Sequence, residues 1–177
     1  MREQIIISGY GGQGVMLAGT LLCYAGMKEK KNVTFFPSYG AEMRGGTANC
    51  QVIISDDPIG SPVFTSPETL LSFNRDSFKK FSPRMKPEGV ILANTSLYAP
   101  EKIAGIKIYE ITANDLAENT GSVLAANMIM LGAYIRIRNI LKLESLVESV
   151  PGLLGKPKEK YWSINQKALE KGYQAVE

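Results

Sequence analysis

The stretch "IIISGYGGQGVMLAG", residues 5–19, decides the fold. The apolar triplet Ile5 to Ile7 reads as the middle of a strand from Gln4 to Ser8, because a strand covered on both faces has no polar side to alternate with. Gly9, Gly11 and Gly14 then match G-x-G-x-x-G, and from Gln13 to Lys28 apolar residues recur at helical spacing: Val15, Leu17, Ala18, Leu21, Leu22 and Ala25. A strand, a glycine turn and a helix in that order open an α/β sheet whose ligand-contacting loops lie at the carboxyl ends of its strands.

The alternation continues outward from this unit. Asn32 to Phe36 reads as a second strand, "PSYGAEMRGG" (37–46) as a shaped loop headed by proline and closed by paired glycines, and Asn49 to Ser55 as a third strand. Beyond a Pro- and Ser-rich passage at 57–67, the patterns predict strands over Thr69 to Phe73, Gly89 to Ala93 and Ile106 to Ile111, and a short helix over Arg75 to Phe81. Ser122 to Ile140 is apolar on nearly every face and reads as a buried helix; Glu144 to Val150 and Asn165 to Tyr173 add two more. The expected fold class is α/β, an open, mostly parallel sheet with helices on both faces, formed by residues 1–177 as one domain.

Composition narrows the function classes. The 177 residues are 45% apolar and 21% charged with a net charge of +3, values of an ordinary globular chain. The basic run Lys28 to Lys31 is interrupted by Glu29, which gives no electrostatic footprint for nucleic acid. Val123 to Ile135 contains Asn127 and ends at Arg136 and Arg138, too short and too polar-ended for a bilayer that needs about 20 apolar residues. Nothing near the start resembles an export signal, so a cytoplasmic location without membrane contact is expected. Cys23 and Cys50 have no paired spacing for an iron–sulfur cluster or zinc, and histidine is absent, which removes the commonest general base and metal ligand together. No metal site is expected in this chain.

The glycine turn has two readings at this point. Glycine permits positive φ and lets backbone N–H groups approach an anion at a helix N-terminus; it also permits close helix–sheet packing with no ligand at all. A nicotinamide or flavin dinucleotide needs in addition an acid about 20 residues further on for the ribose. That neighbourhood is "KKNVTFFPSYG" (30–40), without Asp or Glu. A second loop, "PSYGAEMRGGTANC" (37–50), offers Tyr39, Arg44, the backbone at Gly45 and Gly46, and the hydroxyls of Ser38 and Thr47 from the same edge of the sheet.

"GYGGQGVMLAG" (9–19), "FPSYGAEMRGGTANCQVIIS" (36–55), "PIGSPV" (58–63) and "AANMIMLGA" (125–133), in that order, resemble the gamma subunit of 2-oxoacid:ferredoxin oxidoreductases, most closely the 2-oxoglutarate type. The resemblance spans nearly the whole chain and loosens after Ile140. It implies a Rossmann-like domain in a hetero-oligomer with alpha, beta and ferredoxin-like delta subunits. Those partners would hold thiamine diphosphate, magnesium and iron–sulfur clusters, with ferredoxin as electron acceptor and coenzyme A as a substrate at a shared site. The gamma chain would hold no cofactor alone and would not be active alone; isolated, it is expected to pair with itself.

On that reading no residue here carries proton transfer or nucleophilic attack, and the candidate binding residues are Gly9, Gly11, Gly12, Gly14, Tyr39, Arg44, Gly45, Gly46 and Asn74. Each has a plainer alternative. Arg44 can pair bidentately with phosphate oxygens, or with Glu42 or a partner subunit. Tyr39 can stack on adenine or bury against the sheet. Asn74, like Asn94, Thr95 and Ser96, sits where an open sheet places ligand contacts, and where turns also form. Asn127 must find a hydrogen-bond partner if buried, in the crevice or, more conservatively, in the core or a subunit interface. Met128 and Met130 read as filler. A pure assembly subunit and a free-standing NAD(P)-dependent oxidoreductase stand as the competing functions.

Overall fold

A computed structural model describes residues 1–39 and 47–176, with the side chain of Tyr39 outside the description. Strands β1 (Arg2–Tyr10), β2 (Asn32–Tyr39), β3 (Thr47–Ser55), β4 (Thr69–Ser72), β5 (Val90–Asn94) and β6 (Lys107–Ile111) form a six-stranded sheet in the order β2-β3-β1-β4-β5-β6. β1, β4, β5 and β6 are mutually parallel, while β3 lies antiparallel between β1 and β2. The sheet is therefore mostly parallel, as expected. The second strand, however, does not neighbour the first: the hairpin partner β3 has taken that position, pairing Tyr10 with Thr47 and Ser8 with Asn49.

The helices are α1 (Val15–Lys28), α2 (Arg75–Phe81), α3 (Ala113–Glu118), α4 (Ala126–Arg138), α5 (Leu143–Leu154) and α6 (Trp162–Gln174). α1 begins at Val15 rather than Gln13, because Gly14 adopts a left-handed conformation that cannot belong to the helix. α3 has no counterpart in the sequence patterns, since its six residues are too few for a helical period to repeat. Ser122 to Ile140 divides into a 3-10 turn at Val123–Ala125 and the helix α4.

β1 explains the two-faced architecture. Ile5 and Ile7 belong to the core that residues of α1, α3, α4, α5 and α6 share on one face, and Ile6 to the core with Phe64, Phe78, Phe81 and Tyr98 on the other. Successive side chains of a strand point to opposite faces, so a triplet of isoleucines requires cover on both. The cover is unequal: α2 and the irregular segments around Phe64 and Tyr98 close the second face. α4 is buried from Ala126 to Ile135 because α6 lies across its outer side. Gly132 and Gly172 make that crossing close: a Cβ on either would stand 2.0 Å from a backbone oxygen of the other helix, of Leu169 and Ile129 respectively.

At the amino end of β1 the carboxylate of Glu3, 2% exposed, accepts from Arg138 Nε at 2.9 Å and Nη2 at 2.7 Å, and from Thr69 Oγ1 at 2.6 Å. No described helix is long and apolar enough to cross a membrane.

Candidate functional site

β1 delivers the chain to the carboxyl edge of the sheet at Tyr10, and α1 must start back along its face from Val15. The four intervening residues turn tightly: Gln13 N–H donates to Tyr10 C=O at 3.1 Å, with φ of +100° at Gly12 and +72° at Gly14. Only glycine enters these backbone regions without a steric penalty.

The glycines are needed for different reasons. Among the described residues a Cβ at Gly12 would meet nothing within 4 Å, so its positive φ is what selects glycine there. At Gly9 a Cβ would lie 2.6 Å from Gln13 Oε1, and at Gly14 it would lie 2.3 Å from Asn127 Nδ2. Close packing accounts for Gly9, packing and positive φ together for Gly14, and positive φ for Gly12.

Among the described residues no side chain caps the positive start of α1. Gly14 offers no side-chain cap, the first turn carries no acid, and the first backbone bond into the helix is Ala18 N–H to Gly14 C=O at 2.9 Å. The N–H groups before it point out of the helix start, where anions are favoured. They border a concavity of about 300 Å³ lined by Tyr10, Gly11, Gly12, Gly14, Val15, Met16, Leu17 and Ala48. A second hollow, of about 120 Å³, lies across Gly12 and Gln13 against Phe73, Asn114, Val123, Leu124 and Ala126.

Asn74 caps α2, its Oδ1 accepting from Ser77 N–H at 2.8 Å, and its Nδ2 donates to Gln13 Oε1 at 3.2 Å. At 4% exposure it supports the turn through Gln13. The Tyr10 hydroxyl donates to the Asp76 carboxylate, and that bond raises the phenol above its ordinary value. Arg44, Gly45 and Gly46 lie outside the described residues. Their anchors do not: Tyr39 pairs with Ala48, and Thr47 pairs with Tyr10, so the loop leaves and rejoins the sheet at the edge that carries the glycine turn. Asn94 and Ser96 are occupied with α3, Asn94 Oδ1 accepting from Ala113 N–H at 3.2 Å and Ser96 Oγ from Asn114 N–H at 3.1 Å.

Asn127 is a core contact at 2% exposure, its Nδ2 donating to Gly14 C=O at 3.2 Å. Gln13, Asp76 and the exposed Leu124 join the site without having been singled out in the sequence. Gln13 could have been noticed as the polar residue inside the motif; Asp76 and Leu124 carry no local signal. Among the described residues no group of three or more His, Cys, Asp or Glu is placed to hold a metal.

The topology bears on the dinucleotide alternative. In a nucleotide-binding βαβ unit the ribose acid ends the strand beside β1. Here that place is taken by the start of β3, residues Thr47 to Asn49, and β2 ends one strand further out.

Comparison with known proteins agrees with this architecture. The chain is 33% identical to the 2-oxoglutarate synthase subunit KorC of Methanocaldococcus jannaschii, over 99% of this chain and 95% of that one. The keto/oxoacid ferredoxin oxidoreductase gamma subunit of Geobacter sulfurreducens superposes with a TM-score of 0.87 at 28% identity, over 99% of this chain and 96% of its own. The same fold occurs in 2-oxoglutarate:ferredoxin oxidoreductase from Magnetococcus marinus, at a TM-score of 0.88 and 24% identity, where 98% of this chain matches 31% of that one. The profile of pyruvate ferredoxin/flavodoxin oxidoreductases matches residues 4–175, and the chain belongs to that family.

Proposed function

We propose that this chain is the non-redox gamma subunit of a thiamine-diphosphate-dependent 2-oxoacid:ferredoxin oxidoreductase. The overall reaction takes 2-oxoglutarate, coenzyme A and oxidised ferredoxin to succinyl-CoA, carbon dioxide and reduced ferredoxin. The chain's own part is to help bind coenzyme A and to assemble with alpha, beta and delta subunits in the cytoplasm. Thiamine diphosphate, magnesium and iron–sulfur clusters sit on those partners and supply the carbanion and electron chemistry. Full-length similarity to KorC favours 2-oxoglutarate as the substrate. The Magnetococcus enzyme, of which a part shares this fold, was solved with 2-oxoglutarate, coenzyme A and succinyl-CoA bound.

The observation that carries the coenzyme A reading is the start of α1, which among the described residues has outward N–H groups, no acid in the first turn, no side-chain cap and nothing against Gly12. A pyrophosphate fits that donor set, which holds an anion by backbone dipoles and moves no proton. Gly9, Gly11, Gly12 and Gly14 shape the cradle, and Asn74 braces it through Gln13. Arg44, Gly45 and Gly46 would close it from the second loop, with Tyr39 beside them.

Calorimetry of the complete complex with Arg44→Ala tests the site. Loss of a charge-assisted phosphate contact worth about 1.5–3 kcal/mol should weaken coenzyme A about 10- to 150-fold. An unchanged affinity removes Arg44 from the site.

A further inference from the structure

The glycine turn is gripped by side chains from two other parts of the fold. Gln13 Oε1 accepts from Tyr10 N–H at 2.6 Å and from Asn74 Nδ2 at 3.2 Å, tying the turn back to the end of β1 and to the cap of α2. On the other side Asn127, in the first turn of α4, donates to Gly14 C=O at 3.2 Å while its Oδ1 accepts from Met128 N–H at 3.0 Å. Asn127 is 2% exposed, and its Nδ2 fills the space that a Gly14 side chain would need. The bond also falls on the carbonyl that receives Ala18 N–H, the first bond of α1. Among the described residues nothing stands within 4 Å of where a Cβ at Gly12, just before the two grips, would lie.

From this arrangement we infer that Gln13 and Asn127 are positioning residues that hold the turn in its anion-receiving shape before any ligand arrives. This rests on the coenzyme A reading above. A flexible glycine turn samples many backbone states, and binding would then have to order it; two side-chain clamps remove that requirement and raise affinity without touching the ligand. Each net bond corresponds to about a 2- to 12-fold change in affinity.

The test is hydrogen–deuterium exchange of the complete complex, with and without coenzyme A, together with calorimetric affinity. In the wild type, coenzyme A should slow exchange across residues 9–17; if it does not, the ligand reading itself fails. Asn127→Ala and Gln13→Ala should each speed exchange of that segment while leaving the amides of β4 and β5 unchanged, and weaken coenzyme A about 2- to 12-fold. Gln13→Glu separates shape from charge. Its carboxylate keeps an acceptor for Tyr10 N–H and Asn74, so exchange at 9–17 should stay near wild type, while the added negative charge weakens the anion further. If coenzyme A protects the wild-type turn, but both alanine variants exchange and bind like the wild type, the positioning role is refuted and the ligand reading survives.

Discussion

The Glu3–Arg138 pair is expected to be a main anchor of the helix that carries Asn127. α4 touches the β1–α1 unit at both of its ends: Asn127 meets Gly14 at the carboxyl edge of the sheet, and Arg138 meets Glu3 at the opposite edge. The Glu3 side chain is 3% exposed and that of Arg138 29%, so the carboxylate is fully desolvated and its partner only partly. Arg138→Met keeps the aliphatic stem and removes two of the three donors seen on Glu3, leaving Thr69. Removing one member of a buried pair costs about 3–5 kcal/mol, and the partial exposure of Arg138 lowers that expectation to about 2–4 kcal/mol. For a chain of this length that is a fall in Tm of about 4–16 °C, read by circular dichroism. Adding Glu3→Gln to Arg138→Met removes the orphaned charge while keeping an acceptor for Thr69, and should recover more than half of the loss. A fall in Tm below about 1 °C for the single variant, or no recovery in the double, would refute the view that an uncompensated buried charge sets the loss.

Three further outcomes are expected. Gly132→Ala should destabilise by at least about 3 kcal/mol in urea unfolding, the top of the overpacking range, because the new Cβ would stand 2.0 Å from Leu169 C=O and no side chain can move aside. Burial pushes the Cys23 thiol up to about 12 and raises that of Cys50 as well. Neither thiol should react with a disulfide reagent at pH 8 in the folded protein, and both should once it is denatured. Lys31 holds the Asp56 carboxyl down at about 2. A carboxylate with a depressed folded value stabilises above its unfolded value near 4 and loses that stabilisation as pH falls toward 2, so Asp56→Asn should flatten the acid limb of a stability–pH curve between those limits.

What the sequence by itself determined is whatever short-range pattern encodes. The isoleucine triplet required a strand covered on both faces, the glycine spacing required a turn into a helix, and Arg75 to Phe81 emerged with its bounds intact because Asn74 is a strong local cap. Ordered motifs along the whole chain also sufficed to indicate the family. What only the tertiary structure decided is which distant residues meet. β3 pairs beside β1 in the place where a nucleotide-binding unit would put its second strand, and strand order rests on long-range pairing that no local window contains. Asn127 reaches Gly14 across 113 positions and Arg138 reaches Glu3 across 135. Which glycines answer to close packing, Gly9 and Gly14, and which to backbone conformation alone, Gly12, depends on what stands opposite each Cα, a property of the packed chain and not of the residue type.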